Sequence, residues 1–183
     1  EFRKNATLAQ VGITVPASRG TTTEFGPFKM VSPGESFNTW IVPELLAKTG
    51  KFYYEFVVNN KDFRRVPQVG VAQPGSKFTT NDRGVGDDAT SWAVDGGRCA
   101  SWHLGTKKKW SDTVPKWSKG DIIGVALDLD LGTFSLFVSR DNGELEECKI
   151  DHGVGFKNQD FVGQDQGVYP AITFAKGSCT VYF

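Results

Sequence analysis

Strict alternation is the feature that most restricts this chain. In Lys51-Phe52-Tyr53-Tyr54-Glu55-Phe56-Val57-Val58, the residues Phe52, Tyr54, Phe56 and Val58 share one face, and Tyr53, Glu55 and Val57 share the other. A period of two is the signature of a strand with one deeply buried side, and no helix keeps it. Residues 122–128 repeat the pattern with Ile123, Val125 and Leu127, and residues 133–139 with Phe134, Leu136 and Val138. The two runs are joined by Asp128-Leu129-Asp130-Leu131-Gly132-Thr133. That connection is short and carries Gly where a turn needs positive φ, so the spacing predicts a hairpin. Shorter strands are expected at 28–31, 37–42, 68–72, 91–94, 98–102, 168–174 and 179–183. One helical turn or two is expected from Pro43, which suits a first turn, to Gly50, which suits a stop. Many short strands with almost no helix predict an all-β fold, a two-sheet antiparallel β-sandwich or jelly roll.

The 183 residues fit one domain, with 1–6 read as a tail or cloning scar, 7–49 as the leading part of the sandwich and 50–183 as its core. Aromatics at 13% favour strands and a bulky core. The 21 basic and 21 acidic residues cancel, which argues against a strong non-specific hold on nucleic acid. No apolar run reaches the roughly 18 residues of a membrane span, so no membrane role is expected. Cys99, Cys148 and Cys179 are too few and too irregularly spaced for a disulfide framework or a zinc site. Cys99 and Cys179 fall inside strand-like patterns, where a thiol serves as a small apolar group. A reducing compartment, cytoplasmic or nuclear, is the expectation. Long connections at 73–90, 105–120 and 149–167 carry Phe78, Trp110, Trp117, Phe156 and Phe161. Loops of that length are commonly functional, and their aromatic content predicts packing rather than looseness.

Several blocks stand in the order of a known family. They are Gly50-Lys51-Phe52-Tyr53-Tyr54-Glu55-Phe56, Val69-Gly70-Val71-Ala72, Ser91-Trp92-Ala93-Val94-Asp95-Gly96, residues 120–130 with Gly132-Thr133-Phe134-Ser135, and the closing Val168-Tyr169-Pro170-Ala171-Ile172 and Cys179-Thr180-Val181-Tyr182-Phe183. On these the chain resembles a SPRY domain, strongly over 50–183. The resemblance implies a bent sandwich whose loops at one end recognise another protein, in ubiquitin ligases, ion channels or scaffolds. The stretch from Asp95 to His103 resembles SPRY domains embedded in very large proteins, including giant ligases. One departure stands out. SPRY proteins with a SOCS box have Trp-Gly before the final strand, where this chain has Lys176-Gly177. A flexible cation replaces an indole platform, so that peptide specificity is not carried over, and an acidic ligand is the chemistry Lys176 would meet instead.

Other motifs divide between chemistry and plain structure. Asp128 and Asp130 have the i, i+2 spacing of paired carboxylates, but turn capping accounts for them better than glycoside hydrolysis. A calcium loop starting at Asp128 fails at Gly132 and Ser139, and Asp87-Asp88 reads as solvated loop acid. His103 is expected to end a strand beside Trp102, His152 lies in a polar loop, and no GxSxG elbow exists. Lys107, Lys108 and Lys109 between two tryptophans could grip single-stranded nucleic acid, but they read better as a solvated loop. Lys61, Phe63, Arg64 and Arg65 follow the first strong strand, where an aromatic among cations makes a good interface anchor. Phe78 and Arg83 sit in the long loop that lines the ligand groove in the family.

The expected function is therefore a module binding a partner protein or peptide through Lys61, Phe63, Arg64, Arg65, Phe78, Arg83, Lys176 and Gly177. No catalysis, cofactor or metal is expected, and the isolated domain is expected to be monomeric. A carbohydrate-binding lectin of similar architecture is the alternative.

Overall fold

A computed structural model of the chain describes residues 9–10, 13–14, 28–32, 36–58, 67–78, 83–109, 116–139, 145–148 and 166–182. In chain order the strands are β1 (Ala9–Gln10), β2 (Ile13–Thr14), β3 (Phe28–Ser32), β4 (Asn38–Ile41), β5 (Lys51–Val58), β6 (Gln68–Ala72) and β7 (Ser91–Asp95). They continue with β8 (Ala100–His103), β9 (Thr106–Lys109), β10 (Ile122–Asp128), β11 (Thr133–Ser139), β12 (Leu145–Cys148), β13 (Tyr169–Phe174) and β14 (Gly177–Tyr182). A single 3₁₀ turn, Pro43–Leu45, interrupts them. The strands form two antiparallel sheets, eight-stranded in the order β2-β1-β4-β13-β6-β7-β8-β9 and six-stranded in the order β12-β11-β10-β5-β14-β3.

The alternating runs became the strands the pattern predicts. β5, β10 and β11 occupy the expected residues and lie side by side, with Val125 opposite both Tyr54 and Leu136. Their inward residues, with Val69, Val71, Trp92, Val94 and Ile172 from the larger sheet, make the shared core. Trp40 stacks on Phe174 at 4.4 Å, and Phe56 meets Trp117 edge-on at 5.3 Å. The Tyr54 hydroxyl crosses this core to donate to the Gly70 carbonyl at 2.7 Å, tying the sheets together.

The larger sheet is covered on its outer side too. Ala72, Ala93 and Ala171 point outward there and, with Tyr169, pack against Phe78 and Val85 of the connection 73–90. Small residues on that face let the connection lie directly on the sheet. β6, β7 and β13 are consequently buried along their whole length, whereas β11 alternates. Beneath the connection the Thr39 and Thr173 hydroxyls share a hydrogen bond of 2.7 Å, and the Val85 N–H donates to Thr173 Oγ1 at 3.0 Å. Without that donor the buried threonine pair would lack a full complement of partners.

Three expectations need correction. Lys107, Lys108 and Lys109 are not loop but β9, whose register with β8 sets Trp102 opposite Lys107. A lysine-rich edge strand has no apolar period to betray it. Cys99 is buried but lies in the turn between β7 and β8 at φ 48°, not in a strand. Asp87 and Asp88 are not merely solvated. Asp87 Oδ2 accepts from the Gly84 N–H at 2.6 Å, and Asp88 accepts from the Thr90 N–H, the Ser91 hydroxyl and the Lys77 N–H. The two acids hold the connection 73–90 in shape. Of the loop aromatics, Phe78 and Trp117 are packed as expected, while Trp110, Phe156 and Phe161 lie outside the described residues, as does His152.

Candidate site at the loop-bearing end

The pairing registers place many chain connections at one end of the sandwich. Gln68 opens β6 opposite both Asp95 and Thr173, and Asp95 faces Ala100. From the smaller sheet, the Val58 N–H bonds Asp121 and the Trp117 N–H bonds Gly96 at this same end. The strand ends here bound the segments 59–66, 96–99, 110–121 and 175–176. Gly84 also reaches this end, because a Cβ there would run into Gln68 Oε1 and Thr173. Arg83 is therefore carried to the rim of the loop cluster.

Arg83 and Lys176 are both exposed, and Lys176 is held at φ 34° in the turn that passes the chain between the sheets. Gly177 opens β14 opposite Ser32. Phe78 lies deeper, 7% exposed among the residues under the connection, so its ring anchors the loop from beneath and offers little surface to a partner. Lys61, Phe63, Arg64 and Arg65 lie outside the described residues.

The sequence reading passed over Arg98 as a contact residue. Asp95 is fully buried and forms an ion pair with Arg98 Nε. Its Oδ1 also accepts from the Gly97 and Arg98 N–H groups, each at 3.0 Å. The guanidinium lies over the Trp102 ring, 4.4 Å from its centroid, with the side chain still 39% exposed. Ion pair and ring together fix the plane of the group, which is how an arginine is made ready for directed hydrogen bonding. Burial pushes the Asp95 carboxyl up, against the pull of Arg98. Burial also raises Asp87, while the Gly84 N–H and the charges of Arg98 and Arg83 draw it down. The connection 73–90 and the turn between β7 and β8 meet here, since Gly86 packs against Trp102, over whose ring Arg98 lies. The signal that could have found Arg98 is an acid closing a strand with Gly-Gly-Arg directly after it.

The carboxylates Asp128 and Asp130 are each taken up by contacts of the turn. Asp128 Oδ1 accepts from the Leu131 N–H at 3.0 Å and Oδ2 pairs with Lys51, while Asp130 Oδ1 accepts from the Gly50 N–H at 2.9 Å. Each carboxylate is engaged separately, as turn capping predicts; the Leu131 and Lys51 contacts hold Asp128 below its ordinary value. His103 stacks on Trp92 at 4.9 Å with Nδ1 2.9 Å from the Ser91 carbonyl oxygen. Among the described residues no group of three His, Cys, Asp or Glu side chains is arranged to hold a metal ion. No helix among them is long and apolar enough to cross a membrane.

Comparison with known proteins now bears on this arrangement. A family model described as the SPRY domain matches residues 51–183. The chain belongs to the SPRY family. It is 30% identical over 135 residues to the E3 ubiquitin-protein ligase RKP of Arabidopsis thaliana, spanning 73% of this chain and 9% of that protein. The matched region is thus a small part of that relative. Its fold is similar to the crystal structure of the SPRY domain of human HERC1, with a TM-score of 0.58 at 14% identity, covering 84% of this chain and 87% of that one. Stonustoxin is also similar, with a TM-score of 0.55 at 20% identity, covering 80% of this chain and 20% of that one. These structural likenesses are in fold.

Proposed function

We propose that the loop-bearing end of this SPRY domain holds a partner protein, and that the contact is made by an extended segment or loop of that partner with acidic character. The observation that carries the reading is Arg98, held between the buried Asp95 and the Trp102 ring beside the connection that bears Arg83. Asp95 is buried behind Arg98, whereas Arg83 and part of the Arg98 side chain stay exposed, so cationic groups are presented outward there. Arginine held in a plane by an aromatic ring is well suited to carboxylate recognition. Lys176 and the sequence-based candidates Lys61, Phe63, Arg64 and Arg65 are kept in the proposal as further contact residues, with Phe63 as the apolar anchor. Similarity to a ubiquitin ligase supports a role as the substrate-selecting part of such an enzyme, within a cytoplasmic or nuclear protein.

The test is affinity capture with the wild-type domain and a Phe63→Ala/Arg83→Ala/Lys176→Ala variant whose melting temperature is unchanged. A partner retained by the wild type and lost by the variant supports the reading. Equal recovery by both removes these loops from the contact. Saccharide-dependent melting with no captured protein would transfer the site to a lectin function.

A further inference from the structure

We infer that the basic edge strand β9 takes up an acidic extended segment by strand addition, widening the eight-stranded sheet. The inference rests on the protein-binding reading and extends it from the loop patch onto the adjoining sheet edge.

β9 ends the larger sheet, and among the described strands it has a neighbour, β8, on one side only. No described strand pairs with its outer margin, whose backbone N–H and C=O groups a further strand can take up. The margin is held in place rather than fraying. Leu104 and Gly105 make a two-residue turn with φ of 55° and 65°, the positive pair that matches the twist of a tight hairpin. That turn is bonded to the connection 73–90, with the Leu104 N–H donating to the Asp88 carbonyl and the Gly105 N–H to the Gly86 carbonyl, each at 3.1 Å. An edge fixed before binding loses less entropy when it is used.

Charge decides what can add to it. From Gly96 to Ser111 the chain carries Arg98, Lys107, Lys108 and Lys109 and no acidic residue. Lysine on an edge strand repels neutral or basic strands that would otherwise pair, and leaves acidic ones favoured. Lys107 stands opposite Trp102 and shares the face on which Arg98 lies, so the edge continues the loop patch without a break. Lys108, one residue on, belongs to the opposite face of the sheet. Cations on both faces suit a peptide strand lying in the plane of the sheet. Base stacking on Trp102 would have to compete with Arg98, which already lies over that ring.

The probe is a fluorescein-labelled octapeptide alternating threonine and glutamate, followed by anisotropy at low salt. Its fully N-methylated counterpart keeps the carboxylates and loses every backbone donor. Strand addition predicts binding of the parent peptide, weakened at least about tenfold by N-methylation. A Lys107→Glu/Lys108→Glu variant of unchanged melting temperature should weaken it by about tenfold as well. Equal binding of the N-methylated peptide, tighter binding of an oligothymidylate, or no binding of the parent would each overturn the inference. The two proposals separate cleanly. A partner lost by the loop variant but fully retained by Lys107→Glu/Lys108→Glu overturns strand addition and leaves the loop surface standing.

Discussion

The outer faces of the two sheets are built on opposite plans. On the eight-stranded sheet, Ala72, Ala93 and Ala171 lie under Phe78 and Val85, and both sides of the central strands are buried. On the six-stranded sheet the corresponding face is, among the described residues, only partly covered. Tyr53 is 45% exposed, lies across Gly124 where a Cβ would strike its ring, and meets Phe137 edge-on at 6.3 Å. Its hydroxyl donates to Glu55 Oε1 at 2.7 Å, and a shallow depression of 320 Å³ lined by Lys51, Ala126 and Thr133 opens beside it. The difference teaches how the proposed contact surface is built. A strap laid over one face carries Arg83 to the rim, and small residues beneath it are what let the strap lie there.

Substitutions ranked by expected effect can break or sharpen this comparison. Phe56 belongs to the core shared by both sheets and is fully buried, so Phe56→Ala should cost about 4 kcal/mol in chemical denaturation. A loss under about 1 kcal/mol would mean that the sheets are not coupled through that core. Arg98→Ala should cost about 3 kcal/mol at neutral pH, because it leaves the buried Asp95 carboxylate unpaired. Burial already pushes Asp95 up, and loss of the opposing cation pushes it further. A carboxyl raised in the folded state stabilises when protonated and loses that stability as pH rises through its folded value. The Arg98→Ala deficit should therefore shrink as pH falls below neutral, and a deficit independent of pH would show that Asp95 is not its cause.

Val85→Ala, on the inner side of the strap, should cost about 2 kcal/mol and be felt locally. Hydrogen exchange at the backbone amides of Val85 and Asp87 should accelerate while Val125 in β10 keeps its protection. If all of them accelerate together, the strap and the sandwich are one cooperative unit. Phe137→Ala on the partly covered face should cost about 1 kcal/mol, little more than its ring contact with Tyr53. A larger loss would show that this face is more buried than its alternation implies.

The same contrast explains what could be read in advance. Strands β5, β10 and β11 announce themselves because one face is wet, and wet-dry alternation is visible along the chain. Strand β6 was found from a short apolar run bounded by turn residues, though nothing local says that both its faces are covered. β9 was missed, since its pairing with β8 owes nothing to apolar side chains, and β12, Leu-Glu-Glu-Cys beside β11, was missed for the same reason. Arg83 and Lys176 could be singled out from motif position. Arg98 carries only the weaker mark of an acid followed by Gly-Gly-Arg, because its importance lies in a buried acid three residues back and a ring four residues on, contacts made only when β7 turns into β8.

Local patterning by itself determined the all-β class, the central hairpin with its capping aspartates, and the order of blocks that marks the family. Those properties depend on side-chain alternation and turn chemistry within a few residues. Tertiary structure alone decided which face the strap covers, that Asp87 and Asp88 hold it, and that Gly86 of the strap meets Trp102, over whose ring Arg98 lies. Such contacts join residues whose proximity is set by sheet pairing over long sequence separations, and no short window of sequence encodes a pairing partner.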